Sequence, residues 1–179
     1  MDVIVDTVDA GSAHREVEVV ERKGLGHPDT LCDAIAERVS IELCRHYLER
    51  FGQILHHNVD KVLLCGGASR AAFGGGEITE PIEIYLAGRA TEHWDGTSIP
   101  IHEIAIDACR EVVKRCVPAL EDKHVRIFPR IRAGSSELTG LFVRGRAVPL
   151  ANDTSCGAGF APLTDLERMT LSVERAPSQ

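Results

Sequence analysis

A long run of regularly spaced apolar residues constrains the fold of this chain more than any other feature. The run lies between Pro28 and Gly52 and recurs at every fourth position, at Leu31, Ile35, Val39, Leu43 and Tyr47. This spacing predicts a helix from Asp29 to about Phe51, which Gly52 ends. Because the predicted helix has one apolar stripe, it has to pack against another layer of structure.

Further helices and several strands are predicted downstream and upstream of this helix. Pro100 starts a second amphipathic helix that ends at Pro118, and residues 164–174 begin a third. Alternating or continuous apolar segments predict strands, with a looser extended stretch at 138–148. These strands cover residues 15–22, 61–66, 81–90 and 124–132. The combination predicts an α+β fold, a β-sheet with helices packed on one face.

The predicted elements divide the chain into two parts. Residues 14–150 are expected to form one α+β domain. Residues 151–179 are expected to provide a ligand loop and the start of a following, truncated domain, because the third helix stops within about three turns. The tail Ala-Pro-Ser-Gln does not resemble a natural domain boundary.

Composition excludes some partners and locations. The chain has 20 Lys and Arg against 27 Asp and Glu, a net charge of −7, which argues against nonspecific binding to nucleic acid or anionic membranes. No apolar stretch is long enough to span a bilayer, and the first residues lack the basic and apolar parts of a signal peptide. Six scattered cysteines without a CxxC pair are typical of a reduced, cytoplasmic protein.

The tetrapeptide Gly-His-Pro-Asp at 26–29 lies where the strand 15–22 is predicted to end and the long helix to begin. Proline suits a first helical turn, and the positive end of a helix binds phosphate anions readily. His27, Asp29 and Lys23 would meet there. In the alternative interpretation Asp29 caps the helix and the charges are solvated. The residues by themselves leave both open.

A glycine-rich stretch at 65–77, CGGASRAAFGGGE, also resembles a phosphate loop. It lacks the GK[ST] ending of a nucleotide-hydrolase loop, and a strand follows it where a dinucleotide site needs a helix. It offers Glu77 on a backbone that a ligand can approach closely. The alternative is an ordinary turn between strands.

Two other polar groups are candidate metal ligands. Asp29, Asp33 and Glu37 share one face of the predicted helix, and carboxylate oxygens are ligands that Mg²⁺ prefers. A solvated acidic face is the alternative and is preferred for Glu37. The pair at 56–57, two histidines, has no second ligand pair at metal spacing and is interpreted as a loop pair.

Basic and small polar residues in the second half leave their roles open. Five arginines alternate along predicted strands, at positions 126, 130, 132, 144 and 146, and would meet a polyanion or pair with acidic residues. The run Asn-Asp-Thr-Ser at 152–155 forms either an Asx turn or a ligand loop that offers carboxylate, amide and hydroxyl groups.

Four segments carry a resemblance to a known family. They are VERKGLGHPDTLCDAIAE at 20–37, DKVLLCGG at 60–67, FGGGEITEPIEI at 73–84 and PLANDTSCGAGFAPLTDLER at 149–168. In order and spacing they resemble the S-adenosylmethionine synthetases (methionine adenosyltransferases) of the archaeal type. The resemblance implies that methionine sulfur attacks C5′ of ATP and displaces triphosphate, which is then hydrolysed, with Mg²⁺ and K⁺ as cofactors.

The resemblance also implies roles at the nucleotide end of the site. His27 matches the family histidine that contacts the triphosphate and helps its departure, and Asp29 matches a Mg²⁺ ligand. Glu21, six residues before the histidine, matches a carboxylate at the ATP site. Lys23 is added here as a cation for the triphosphate.

At the methionine end, Glu77 resembles the glutamate that binds the amino group. Asp153 resembles the aspartate at the junction of methionine and adenosine, within the ATP site. Thr30 and Cys156 stand where the family pattern has serine and an aromatic residue.

The length of the chain leaves more than one functional interpretation. Family members are longer, with three similar α+β domains and active sites between two subunits. The chain is therefore expected to be the N-terminal portion of such an enzyme, incomplete for catalysis as written, and to form a homo-oligomer or join a complementary synthetase chain. The rivals are a noncatalytic or complementing subunit that shares its active site with a partner, and a plain nucleotide-binding domain.

Overall fold

A computed structural model of the chain describes residues 17–134 and 161–176. These residues fall into two compact units, one of residues 25–134 and one of residues 17–24 with 161–176. The predicted extended stretch at 138–148 and the polar run at 152–155, with Asp153, lie outside the described residues.

The first unit contains most of the described secondary structure. In chain order its elements are α1 (Pro28–Phe51), β1 (His57–Cys65), β2 (Ala68–Ala72), β3 (Gly75–Glu80), β4 (Ile82–Ala90), β5 (His93–Trp94), β6 (Thr97–Ser98), α2 (Ile101–Cys116), a 3-10 turn (Asp122–His124) and β7 (Val125–Ala133). β4 lies between β1, which is antiparallel to it, and β7, which is parallel. β2 pairs with β3 and β5 with β6 as two hairpins. The predicted α+β fold is confirmed.

The bounds of α1 follow the sequence signals closely. Gly52 adopts a left-handed conformation with φ of 68°, and its N–H donates to the Leu48 carbonyl, as at many helix ends. The whole predicted apolar stripe is buried, from Leu31 to Tyr47. α2 buries its own stripe, at Ile101, Ala105, Ala108, Cys109, Val112 and Val113.

One face of the three-stranded sheet packs against the two helices. Successive side chains of a strand point to opposite faces, so Ile84 and Leu86 of β4 share a face. Both are buried in the cluster that contains the stripes of α1 and α2. On the other face Tyr85 stacks on Phe128 of β7, with ring centroids 4.8 Å apart. The helices therefore cover one face of the sheet, as predicted.

The predicted strand at 15–22 is wrong for the residues that the structure describes. Residues 17–24 form neither helix nor strand. Val17 and Val19, the apolar half of the alternation, are 75% and 87% exposed. An alternating pattern favours a strand when a neighbouring strand pairs with it and one face is buried; this segment has neither in its described surroundings.

The same segment contacts the third helix, α3 (Asp165–Arg175), within the second unit. Thr164 caps α3 through a capping box with Glu167, which confirms the predicted helix start. The Thr164 hydroxyl also donates to the Glu18 carboxylate. Arg22 Nε lies 3.8 Å from Glu174 Oε2. No helix in the described ranges is both long and apolar enough to cross a bilayer.

A close approach between β1 and β4 requires a glycine. The register of β1 against β4 shifts between Asn58 and Lys61, and Gly88 lies opposite this irregularity. A Cβ atom at Gly88 would lie 2.2 Å from the Asn58 carbonyl oxygen. The bulge therefore tolerates only glycine at position 88.

Gly88→Ala is expected to lower the free energy of unfolding by about 1–3 kcal/mol, because the added methyl group forces two backbones apart. Gly66→Ala is the matched control, since a Cβ there meets nothing within 4 Å. Urea unfolding followed by circular dichroism measures both. Equal stability of the two variants would contradict the close approach.

Candidate functional site

The tetrapeptide at 26–29 forms the N-terminus of α1, and His27 is its cap. The Asp29 amide donates to His27 Nδ1 at 3.1 Å, and the Leu31 amide donates to the His27 carbonyl at 2.9 Å. Pro28 occupies the first helical position. The imidazole thus satisfies one of the amides that a helix start leaves without a partner. The interpretation in which Asp29 caps the helix is wrong.

This capping bond fixes the tautomer of the His27 ring. A ring nitrogen that accepts a hydrogen bond carries no proton, so the neutral ring carries its proton on Nε2. Nε2–H is then a hydrogen-bond donor on a half-buried ring at the positive end of a 24-residue helix. Both the donor and the helix dipole favour an anion at this position.

The carboxylates of α1 remain accessible from solvent. Asp29 lies in the first turn, and Asp33 and Glu37 follow on the same face, all three exposed. No three His, Cys, Asp or Glu side chains of the described residues lie close enough to hold a metal ion together. Asp29 suits a hard cation such as Mg²⁺, which commonly takes one or two protein carboxylates and completes its shell with phosphate oxygens and water.

The glycine-rich stretch, predicted as a loop, is largely a β-hairpin. Its strands β2 and β3 are joined by Phe73 and Gly74, and Gly74 has φ of 76°. Arg70 and Glu77 lie directly opposite each other across the hairpin, with Nη1 and Oε2 3.8 Å apart. Glu77 is therefore presented on a paired strand with a guanidinium beside its carboxylate.

Glycines set the shape of this hairpin. A Cβ atom at Gly67 would lie 2.1 Å from the Glu80 carbonyl oxygen, and one at Gly76 would lie 3.1 Å from the Arg70 carbonyl oxygen. The backbones approach too closely at the base for any side chain. The two-residue turn at Phe73 and Gly74 sets the register that places Arg70 opposite Glu77.

The histidine pair at 56–57 has a structural role. His57 Nε2 lies 2.9 Å from the Ser40 hydroxyl, and its Nδ1 lies 3.0 Å from the Leu55 carbonyl oxygen. The ring therefore ties the start of β1 to α1. The His56 carbonyl accepts from both the amide and the hydroxyl of Thr91, and burial lowers the pKa of His56. His57 is the first residue of β1, so the predicted loop pair is wrong for His57.

The arginines of β7 share one strand face, and one of them has an acidic partner. Arg126 lies directly opposite Glu83 of β4, with Nη1 and Oε1 3.8 Å apart. For Arg126 the pairing interpretation is confirmed. Arg130 and Arg132 are exposed on the same strand, and positions 144 and 146 lie outside the described residues.

The structure brings together some of the predicted site residues. His27 and Asp29 meet in the first turn of α1, and Glu77 lies on the hairpin of the same unit. Glu21 and Lys23 are exposed on segment 17–24 of the other unit, so their place beside the histidine stays a prediction. Sequence reasoning missed the capping role of His27 and the partner of Glu77, Arg70. The hairpin register, which brought Arg70 to Glu77, leaves no signal in the order of residues.

Comparison with known proteins gives one family. The family model described as S-adenosylmethionine synthetase (AdoMet synthetase) matches residues 2–178. A probable S-adenosylmethionine synthase of Aquifex aeolicus is 54% identical over 165 residues, which are 90% of this chain. S-adenosylmethionine synthases of Pyrococcus furiosus and Pyrobaculum neutrophilum are each 49% identical, over 90% and 97% of the chain.

The match covers less of the relatives than of this chain. It spans 41% of the Aquifex and Pyrococcus proteins and 45% of the Pyrobaculum protein. The predicted resemblance is thereby confirmed over nearly the whole chain, and the chain spans less than half the length of these relatives.

His27→Ala is expected to lower the free energy of unfolding by about 1 kcal/mol, because alanine cannot accept the Asp29 amide hydrogen bond. His27→Asn should retain the wild-type stability, since an asparagine oxygen caps helices well. Urea unfolding of the three proteins measures the difference. A stable alanine variant would show that the ring does not cap α1 in solution.

Proposed function

The chain belongs to the S-adenosylmethionine synthetase family, and from that premise we propose that it takes part in forming S-adenosylmethionine from ATP and methionine. In the proposed reaction the methionine sulfur forms a bond to C5′ of ATP while the bond from C5′ to the triphosphate oxygen breaks. Triphosphate leaves intact and is then hydrolysed to pyrophosphate and phosphate. The observation that carries the proposal is the capped N-terminus of α1, where His27 Nε2 is a donor for an anion.

The leaving group needs the most stabilisation in the transition state of this reaction. A thioether sulfur is nucleophilic without a base, so the barrier lies in the charge that develops on the departing triphosphate. Fixed donors and dipoles aimed at that charge lower the barrier because they need no reorganisation. We propose the ring of His27 as such a donor, since its capping bond holds the tautomer and the helix dipole adds to the local positive potential.

The remaining site residues are proposed from the family pattern. Glu77 binds the amino group of methionine, and Asp153 contacts both methionine and the adenosine part of ATP. Glu21 contributes a carboxylate at the ATP site, and Lys23 provides a cation for the triphosphate. The exposed hairpin position of Glu77 supports its part, because a ligand can reach the carboxylate there.

Synthetases of this family use metal ions, and we propose Mg²⁺ and K⁺ for this chain. Asp29 would hold Mg²⁺ with phosphate oxygens, and the bound cations would neutralise charge on the triphosphate. The exposed carboxylate of Asp29 in the first turn suits a cation beside the anion that His27 contacts. The K⁺ proposal rests on the family alone.

The short span of the chain bears on activity. It covers 41% of the Aquifex and Pyrococcus proteins, so we propose that residues beyond it complete the catalytic site. Those residues would come from a complementary synthetase chain in the cytoplasm, and the chain itself would form a homo-oligomer or join that chain. A complementing subunit is the second candidate, favoured because the motifs at 20–37 and 73–84 are intact. The domain limits 14–150 and 151–179 are part of the same proposal.

The assay of activity uses ATP, methionine, Mg²⁺ and K⁺ with the purified chain, alone and mixed with the remaining portion of a relative. We expect S-adenosylmethionine and phosphate from the mixture and none from the chain alone. Product from the chain alone would contradict the proposed incompleteness. Binding of ATP without any response to methionine would favour a plain nucleotide-binding domain.

In the product-forming mixture, variants of His27 and Glu77 should affect different kinetic constants. His27→Asn keeps the helix cap and removes the imidazole donor, so kcat should fall by about 100-fold with little change in the KM for methionine. Glu77→Gln should raise that KM by about tenfold with a smaller effect on kcat. Steady-state kinetics measure both, and the reverse pattern would overturn the assigned roles.

A further inference from the structure

The cross-strand pair of Arg70 and Glu77 has a charge pattern that is complementary to a free α-amino acid. We infer that the pair recognises both charged groups of the amino-acid substrate, with Glu77 on the α-ammonium and Arg70 on the α-carboxylate. This inference rests on the proposed function and adds a specificity-determining residue, Arg70, to it. The substrate class that it names is an unmodified amino acid with both charges free.

The geometry of the hairpin places the two charges on one face. Residues directly opposite each other in an antiparallel pair project to the same side of the hairpin. Arg70 and Glu77 are such a pair, with exposures of 79% and 70% for their side chains. Their closest atoms, Nη1 and Oε2, are 3.8 Å apart, which is longer than a hydrogen bond. The two groups are close enough to share one ligand and loose enough to admit it.

The energetics favour a ligand over the bare pair. An exposed ion pair at this distance contributes little stability because water screens it. An amino acid carries its ammonium and carboxylate on a single carbon atom, so it can give each protein group a charge-assisted hydrogen bond, which is stronger than the loose ion pair. The Arg70 guanidinium turns from the Glu77 carboxylate to the substrate carboxylate, and the backbone of β2 stays in place.

Small neighbours leave this face of the hairpin open. The next pair on the same face is Ala72 opposite Gly75, and neither carries a side chain large enough to cover the charges. The two-residue turn of the hairpin sets its register, which places the two charged residues opposite each other.

A second cross-strand pair shows what a structural pair of the same length looks like. Arg126 lies opposite Glu83, also at 3.8 Å. Glu83 accepts a hydrogen bond from the Tyr85 hydroxyl at 2.7 Å, and its side chain is 33% exposed. That carboxylate is already engaged within the sheet. The Arg70 and Glu77 pair differs in its exposure, and Arg126 provides the matched control.

The experiment measures binding of three ligands to the purified 179-residue chain by calorimetry, with Mg²⁺ present and ATP left out so that no reaction occurs, for the chain alone and mixed with the remaining portion of a relative. The ligands are L-methionine, methylthiopropylamine, which lacks the carboxylate, and methylthiobutyrate, which lacks the ammonium. Arg70→Ala should weaken methionine binding by about tenfold and leave the amine unchanged. Arg70→Lys should recover most of the loss, and Arg126→Ala should change none of the three affinities.

Glu77→Gln should show the opposite selectivity, with weaker binding of methionine and unchanged binding of methylthiobutyrate. If Arg70→Ala leaves methionine affinity unchanged, or weakens methionine and the amine equally, the inference about Arg70 is wrong. The proposed function then stands as long as Glu77→Gln still weakens methionine. If the wild-type chain binds no methionine, either alone or in the mixture, the proposed function and the inference are both wrong.

Discussion

Burial of the α1 stripe is the constraint on which the described structure of the first unit depends. Each of the five stripe residues, from Leu31 to Tyr47, is less than 5% exposed, and burial of one such side chain contributes about 1.5–3 kcal/mol. Packing on α2 and the sheet therefore fixes the rotation of α1 about its axis. The opposite side of the helix is fixed in turn, which leaves Asp29, Asp33 and Glu37 in solvent. The acidic face of α1 is a consequence of core packing.

The same packing gives the start of α1 its chemical character. A helix end that is held in place presents its free amides and its dipole in one direction. His27 uses one ring nitrogen to satisfy an amide and thereby keeps the proton on the other. Pro28 removes a donor that would have no partner in the first turn. A histidine at this position is thus a structural cap and a fixed donor at once, and the two roles use different atoms of the ring.

Sequence reasoning predicted the parts of the fold that depend on local patterns. Pro28, Gly52 and the regular stripe defined α1 to within one residue at its start, and Thr164 marked the start of α3. The strand predicted at 15–22 was wrong over the described residues 17–22, because alternation does not reveal whether a neighbouring strand is present. The hairpin of β2 and β3 was missed because its alanines and glycines have low strand propensity; close backbone pairing, which needs small residues, overrides that preference. Motif order made Glu77 a candidate site residue, whereas the proposed role of Arg70 required the hairpin register.

The described site differs from the core in how its charges are satisfied. In the core, the hydroxyl of the buried Tyr47 donates to the Thr91 carbonyl. At the hairpin, two opposite charges face each other at a distance that gives neither a full hydrogen bond. Exposed charges without a close partner cost less free energy than buried ones would, because water solvates them when no ligand is bound. A ligand that carries both charges then gains two good contacts where the free protein has one loose pair. The proposed binding of an amino acid there does not require the fold to change, because the hairpin already places the two residues opposite each other.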